Sequence, residues 1–408
     1  MTRLNVLAPT RYPSQFNSAR ASRHNIVRRN FLPFNYVHPS LEGVTVFAPS
    51  MPRRIDIIHA FNRIPLNRHP FLIGFESHLP RGFGVETSTF FSFMRAQLTS
   101  ERCRAIVAIS EYAKRTFLSQ HRESPQLGIL EDKLLVRLPS VIVPGDVSPT
   151  MKPLQPIRLF FVGNHFARKG GCVALRLAER AQQAGVPVSV EIVSSLEVGK
   201  VSWTDPLDAG FFDRYRPLLE LANVKVWGSL PNRTVLEKLR KAHFLLLPTF
   251  GDSFGYSAVE ALANGTPVIA TNQCALPEFI EDGHNGFLLD LPTNHKGEWV
   301  HLNSPQRGTR WFERIHAEEV DRLADEILHR LVHLLEEPHV FAEMASHAYA
   351  TALARFDSRL HDPFWDTLYE VALILPVSLR SPSVPAENEP YEERAQGETG
   401  AFGQSMRP

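Results

Sequence analysis

FLLLPTFGDSFGYSAVEALANGTPVIATNQCALPEFIEDGHNGFLLD, running from Phe244 to Asp290, is the stretch whose reading decides the fold. Phe244 to Pro248 is a compact apolar run closed by a proline, the pattern of a strand buried on both faces. Gly251 to Gly255 follows as a loop holding one carboxylate, Asp252, between two glycines that tolerate tight backbone angles. Ser257 to Ala263 is built of helix formers, and Asn264-Gly265 supplies a left-handed stop. Pro267 to Ala270 resumes as a strand, and a turn, a short helix and a last strand complete the stretch. A loop that leads from the carboxyl end of a buried strand into a helix N-terminus is where α/β proteins bind phosphorylated ligands. Two acids frame that loop: Asp252 within it, and Glu260 after seven intervening residues, inside the helix. Glu260, three residues beyond Ser257, is expected on the polar side, with Val259, Leu262 and Ala263 on the apolar side.

The stretch resembles the E-x7-E segment of the retaining glycosyltransferases of family 4, which have the GT-B fold, with Asp252 at the first acid. The likeness continues through a GTPV strand entry, the phrase LPE, and DG and NG turns. The order of these features is a far stronger signal than two acids at that spacing. The resemblance implies an α/β protein of two Rossmann-like domains facing across a cleft, with a C-terminal helix crossing back to the N-terminal domain. It also implies transfer of a sugar from a nucleotide-diphosphate donor with retention of configuration. In that reading Glu260 accepts hydrogen bonds from the ribose hydroxyls and Asp252 binds hydroxyls of the transferred sugar, roles suited to ionised carboxylates. Backbone N–H groups near Phe254 and Gly255 are expected at the phosphates. Ser253 and Tyr256 complete that end of the donor site.

The whole chain agrees with such an enzyme. Its 408 residues suggest two or three domains. A hydrophobic share of 43% with 21% charged residues describes a soluble globular protein. Cys103, Cys172 and Cys274 show neither metal nor disulfide spacing, which suits a reducing, cytoplasmic compartment. No apolar run approaches the ~18–20 residues that cross a bilayer. Residues 1 to 150 hold nineteen Lys and Arg against ten Asp and Glu, so a charge of about +9 faces about −8 in the remainder. A basic N-terminal half suits an anionic membrane surface or an anionic acceptor, and equally an arginine-rich solvated face. The absence of acids before Glu42 resembles a transit peptide, but Leu4 to Ala8 reads better as the opening strand of a sheet.

Residues 1–148 are expected to form the N-terminal Rossmann-like, acceptor-side domain. Short buried strands are expected at Leu4–Ala8, Val44–Ala48, Ile55–Ala60, Phe71–Phe75, Ala105–Ile109 and Leu134–Leu138. IDIIHAFN, FLIGFESH and AIVAISEYAKRTF resemble successive phrases of the same family's acceptor domain. His78 ends the second phrase, where a family histidine contacts the transferred sugar; a capping or core histidine is the plainer reading, and its place at a strand's carboxyl end favours function. Glu76 is a candidate to orient it, and His59, inside a strand, is expected to be structural. The family's glycine-rich loop after the first strand is replaced by Pro9–Ala21, which has no glycine; Ser14 and Ser18 are its candidates for ligand contact.

Residues 149–156, in a proline-rich stretch, read as a linker, and 157–352 as the nucleotide-sugar-binding domain. Ile157 to Val162 is a strand, and Gly163-Asn164-His165-Phe166-Ala167-Arg168-Lys169-Gly170-Gly171 joins it to a helix. Such a loop suits a diphosphate, and it resembles the family's G-R…K-G loop, with Lys169 in place and Asn164 where the first arginine stands. Gly163, Arg168 and Lys169 are therefore donor-binding candidates, and Arg168 and Lys169 also catalytic ones, with His78 and Asp252. Arg168 and Lys169 as mere solvated surface is the less favoured reading. Ser229 and Leu230, after the strand at Val224–Gly228, are candidates to cup the base, and Asn232 is expected to cap the next helix. Ser194–Tyr215 and Leu291–Phe312 are long irregular segments, the second resembling an insertion that serves as a lid or a partner surface. Residues 353–376 resemble the crossover helix, with Trp365, Leu368, Tyr369 and Ala372 on its apolar face, and 377–408 read as a disordered tail.

No Asp-x-Asp motif is present, so no metal is required, and no cofactor is expected beyond the donor itself. No nucleic-acid partner is expected. The acceptor, whether glycan, lipid-linked or small molecule, is not written in these residues. Two other classes remain open: a nucleotide-sugar binder or partner subunit without turnover, and an epimerase or phosphorylase on the same architecture. A nicotinamide dehydrogenase is set aside, because no G-x-G-x-x-G follows a strand and GFGVET at Gly82 lacks the last glycine.

Overall fold

The structure is a computed structural model that describes residues 3–38, 41–47, 54–146 and 153–374. Two six-stranded parallel sheets carry the chain. The first has the order β2-β1-β5-β7-β8-β9, built from β1 (Asn5–Pro9), β2 (Asn25–Arg29), β5 (Ile57–Phe61), β7 (Phe71–Phe75), β8 (Cys103–Ala108) and β9 (Leu134–Val136). The second has the order β12-β11-β10-β13-β14-β15, built from β10 (Ile157–Val162), β11 (Val188–Val193), β12 (Val224–Trp227), β13 (Phe244–Leu247), β14 (Val268–Thr271) and β15 (Gly286–Leu289). Along β13 the side chains alternate between two core clusters: Phe244 and Leu246 on one face of the sheet, Leu245 and Leu247 on the other. An unbroken apolar run is what a strand covered on both faces requires.

The N-terminal half departs from expectation at two strands. Val44–Phe47 (β4) is not part of the main sheet. It pairs with β3 (Phe31–Pro33) and β6 (Ile64–Pro65) in a three-stranded sheet of order β3-β4-β6. Val44 and Phe47 are buried because this small sheet packs on the main core beside Ile64, Phe91 and Met94, so burial there does not report membership of the larger sheet. β2, with the sequence NIVRR, was absent from the expected set because an edge strand needs no continuous apolar run.

Four helices accompany the first sheet: α1 (Tyr12–Phe16), α2 (Thr89–Thr99), α3 (Glu111–His121) and α4 (Leu127–Asp132). The second sheet has α5 (Gly171–Gln183), α6 (Asn232–Lys241) and α7 (Tyr256–Ala263), followed by α8 (Arg310–Glu336) and α9 (Pro338–Arg355). The last helix, α10 (Ser358–Ile374), returns to the first sheet. Its Trp365, Leu368, Tyr369 and Ala372 pack against Val6, Ile57, Leu72 and Val107. Truncating a fully buried tryptophan such as Trp365 costs about 3–5 kcal/mol, enough to make this helix a fixed part of the fold. His59 is structural: its Nδ1 lies 2.9 Å from the Tyr369 hydroxyl, and burial lowers its pKa to about 3. The carboxylate of Asp362 accepts the backbone N–H groups of Arg20 and Ala21, at 2.7 and 2.8 Å, which fastens the loop beyond α1 from behind. Residues 149–152 of the expected linker, 375–376 of the expected crossover stretch, Ala48 and the tail at 377–408 lie outside the described residues.

Each sheet is wound outward in both directions from its first strand. The chain runs from β1 to β2 on one side and later takes up β5 on the other. In the same way it runs from β10 to β11 and later returns to β13. The crevices at the carboxyl ends of β1/β5 and β10/β13 are therefore topological switch points, where α/β folds gather their ligands.

Candidate active site

The loop from β10 to α5 and the loop from β13 to α7 stand side by side because β10 and β13 are neighbours. Backbone groups tie the two loops together. The Arg168 carbonyl accepts the Phe250 N–H at 2.8 Å and the Thr249 hydroxyl at 2.9 Å. This approach needs glycine at 170, where φ is +90° and a Cβ would lie 2.2 Å from the Pro248 carbonyl oxygen. Gly255, at φ +86°, turns the second loop into α7. Neither α5 nor α7 has a side-chain cap, so two helix N-termini meet this crevice with amide donors unclaimed by side chains.

Lys169 Nζ and Asp252 Oδ2 form an ion pair across the two loops. Burial opposes the charge on each partner. For Asp252 the neighbouring Lys169 and Arg168, with the Phe254 N–H, prevail and hold the carboxyl below its ordinary range. For Lys169 burial prevails over Asp252 and lowers the ammonium pKa. Arg168 donates to the Gly251 carbonyl at 3.1 Å and lies 5.1 Å from the centroid of the Trp203 ring. Gly163 begins the loop, and its carbonyl accepts the Ser194 hydroxyl at 2.6 Å.

Glu260 is buried, 8% exposed, in a helix whose residues from Ala258 to Ala263 are all buried. Its expected polar side is thus an internal face rather than a solvated one. There it accepts Asn232 Nδ2 at 3.1 Å and a hydrogen bond from the Tyr12 hydroxyl. Burial raises its pKa, and those two donors and Arg20 reduce the shift without cancelling it. Asn232 is therefore not a capping residue. The N-cap of α6 is Pro231, and the Asn232 amide turns to the acid instead. Ser229 and Leu230 occupy the turn between β12 and α6, with Ser229 exposed and Leu230 packed against the core.

From the other half, Pro9–Ala21 presents a short helix in place of a glycine loop. Tyr12 and Phe16 pack against Tyr256 at the start of α7, with Phe16 and Tyr256 centroids 4.9 Å apart. The Tyr256 hydroxyl accepts Asn17 Nδ2 at 2.8 Å. Ser14 and Ser18 are turned into the protein rather than presented at the surface. Both are buried, and the Ser18 hydroxyl donates to the Ser14 carbonyl while receiving Arg28. His78 lies beyond β7, half-buried and edge-on to Phe83 at 5.4 Å. Burial lowers its pKa, with Glu298 opposing and Lys296 and Arg81 reinforcing that shift. Glu76 makes no hydrogen bond to it among the described residues; its Oε1 accepts Asn62 Nδ2 at 3.1 Å and Arg81 Nη2 at 2.5 Å.

The two long irregular segments brace the loops from beneath. Trp299, fully buried, lies 4.9 Å from the Phe250 ring, and Leu302 and Trp203 flank Gly251. Arg307 donates to the Asp205 carbonyl at 2.7 Å, joining one segment to the other. The stretch at 291–312 is accordingly a fastened buttress and not a free lid. Across the cleft, the Glu278 carboxylate accepts the N–H groups of Glu111 and Tyr112 at the start of α3, at 2.9 and 2.6 Å. Tyr12, Asn17, Tyr112, Asn232 and Glu298 thus join the site without having been expected there. Only the unusual length of the segments at 194–215 and 291–312 signalled part of this. Among the described residues no cluster of three or more His, Cys, Asp or Glu is arranged to hold a metal ion, and no helix is long and apolar enough to cross a membrane.

Comparisons with known proteins bear on this geometry. Residues 156–299 match the family described as Glycosyl transferases group 1. A D-inositol 3-phosphate glycosyltransferase of Thermobifida fusca is 28% identical over 230 residues, covering 53% of this chain and 52% of its own length. The chain therefore spans about half the length of that curated relative. A glycosyltransferase structure from Rickettsia africae superposes with a TM-score of 0.57 at 14% identity, covering 92% of this chain and all of that one. The Anabaena protein HepE, in complex with UDP-glucose, superposes with a TM-score of 0.50 at 17% identity over 78% of this chain and 79% of its own. The fold is GT-B.

Proposed function

From a chain whose residues 156–299 match the family of glycosyl transferases group 1, we propose an enzyme that moves a sugar from a nucleotide-diphosphate donor to an acceptor with retention and without a metal. The observation that carries this reading is the Lys169–Asp252 pair at a switch point flanked by two helix N-termini. A diphosphate there meets amide donors, the Lys169 ammonium and the Arg168 guanidinium, which stabilise the charge gathering on the leaving group as the glycosidic bond breaks. Released from its ion pair by the incoming phosphates, Asp252 accepts hydroxyls of the transferred sugar. Glu260 accepts the ribose hydroxyls, and Ser229 and Leu230 flank the base. Ser253, Phe254, Gly255 and Tyr256 line the phosphate end. His78 reaches the transferred sugar from the facing domain as a neutral imidazole, since its pKa is lowered. The acceptor, a glycan, a lipid-linked molecule or a small molecule, enters from the basic N-terminal domain, which also suits peripheral contact with an anionic membrane from the cytoplasm.

One observation favours a second reading, a nucleotide-sugar binder without turnover. Lys169 and Asp252 already neutralise each other, and Glu260 is already engaged by Tyr12 and Asn232. Incubating the full chain with UDP-, GDP-, ADP- and dTDP-linked sugars and candidate acceptors separates the two. The enzyme releases nucleoside diphosphate, keeps doing so in EDTA, and forms a product whose anomeric coupling constant matches the donor's. Binding without release supports the second reading, and failure to bind any nucleotide sugar overturns both.

A further inference from the structure

Glu298 sits in the buttress segment beside Trp299, whose full burial fixes its position. It is a carboxyl group only 9% exposed, and the side-chain hydrogen bonds it makes among the described residues come from neutral groups. Its partners are neutral: the Tyr112 hydroxyl donates to Oε1 at 2.8 Å and Asn294 Nδ2 donates to Oε2 at 3.2 Å. A carboxylate has about four lone-pair sites, so this one is held in place with acceptor capacity to spare. Each oxygen is met by a single neutral donor, so the carboxyl group is oriented by hydrogen bonds without being used up by them.

Its surroundings are the cleft. Tyr112 belongs to α3 of the facing half, and its backbone is gripped by Glu278, so the hydroxyl that aims Glu298 is itself anchored. The Cys274 side chain engages both the Tyr112 side chain and the Asp252 backbone. Cys274 is a non-glycine residue at φ +53°, and its N–H is taken by the Gly297 carbonyl at 2.7 Å. Glu298 and Lys296 are both among the charges that act on His78. Asp252, Cys274, Tyr112 and Glu298 are therefore linked in one chain of side-chain and backbone contacts.

We propose that Glu298 is a second carboxylate acceptor for the hydroxyls of the transferred sugar, reached from Asp252 through Cys274 and Tyr112, and that it helps decide which sugar is taken. This rests on the nucleotide-sugar reading above. Asp252 approaches from the donor loop and Glu298 from the interdomain wall, so two different hydroxyls of one ring are read from two directions. Epimers that move one hydroxyl lose one partner and leave a buried acceptor unpaired, the arrangement that gives strong discrimination.

The test is calorimetric binding of the full chain to UDP-, GDP-, ADP- and dTDP-linked glucose, galactose and N-acetylglucosamine, each beside its free nucleoside diphosphate. The ratio of the two dissociation constants isolates the sugar's share. In Glu298→Gln that ratio is expected to fall by about tenfold or more for the preferred sugar, with the nucleoside diphosphate bound as before. Tyr112→Phe, which leaves the carboxylate but not its aim, is expected to move the ratio the same way by a smaller factor. An unchanged ratio in Glu298→Gln overturns the proposal while the wild type still binds and turns over its donor. Equal loss of both affinities overturns it too, since that marks a structural role. Wild-type chain that binds no nucleotide sugar removes the functional reading, and this proposal with it.

Discussion

The proposed donor side and the proposed acceptor side of the cleft are built on the same plan, a parallel sheet with a switch point, yet they are held together differently. On the donor side the groups of the two strand-end loops satisfy one another: Lys169 pairs with Asp252, and Arg168 binds the neighbouring loop. On the acceptor side the groups that reach the cleft have partners elsewhere in the chain. Tyr12 meets Glu260, Asn17 meets Tyr256, and Tyr112 is held by Glu278 and Glu298. A self-contained half tolerates change in its surroundings. A half that borrows its contacts depends on the domains being closed. Substitutions on the donor side should therefore act on chemistry, and those at the interface on affinity and closure.

The largest expected effect is at Lys169. Lys169→Ala removes the point charge proposed to face the leaving diphosphate, and turnover measured as nucleotide release should fall by about 10²–10³-fold. It also leaves Asp252 charged with a side chain only 12% exposed, so the thermal midpoint should drop. Adding Asp252→Ala removes the orphan charge and should restore the midpoint but not the turnover. Turnover that returned with the midpoint would reduce the pair to a structural tie and erase the contrast between the two halves.

Glu260 is the donor-side residue that the interface covers, and its titration measures that cover. Because its folded-state pKa is raised, the folded protein binds the proton more tightly than the unfolded chain does. Stability is then lost as pH rises from the unfolded value near 4.5 through the folded one. Glu260→Gln has no such loss. At pH 7 it should melt above wild type, with the gap closing as pH falls below the ordinary carboxylate range, while its affinity for nucleotide drops by about tenfold. A melting gap independent of pH would show that the acid is not held under strain.

These differences also explain what was legible in the sequence. The donor loops could be read because strand, loop and helix are contiguous: a buried strand demands an apolar run, a close approach demands Gly170, and a phosphate site demands basic residues beside helix N-termini. Lys169 and Asp252 meet because β10 and β13 are neighbours, while Glu260 is engaged separately by Asn232 and Tyr12. Contacts between distant elements were not legible: Asn232 has the local signature of a helix cap, and only the folded chain shows its amide turned to an acid 28 positions away, as it shows Asn17 turned to the Tyr256 hydroxyl across the interface. Val44 to Phe47 misled for a related reason: a buried apolar run records that something covers it, not which sheet it joins. The loop at Pro9–Ala21 lacked glycine, and from that alone neither the helix at Tyr12 nor its hold on α7 follows.

That hold leads to the smallest expected effect. Tyr12 is half exposed, its hydroxyl donates to Glu260, and burial and that acid together raise its pKa, so it remains a donor at every working pH. If ribose hydroxyls take the same carboxylate, a donor must first displace the phenol. Tyr12→Phe deletes the competitor while keeping the ring against Phe16, where the centroids lie 4.8 Å apart. A hydrogen bond is worth about 0.5–1.5 kcal/mol net, so nucleoside diphosphate affinity should rise by about two- to tenfold. The melting temperature should shift little, because the buried acid loses one donor but keeps Asn232. A fall in affinity of the same size would mean that the phenol contacts the donor directly, and the interface would then be part of the donor site and not its cover.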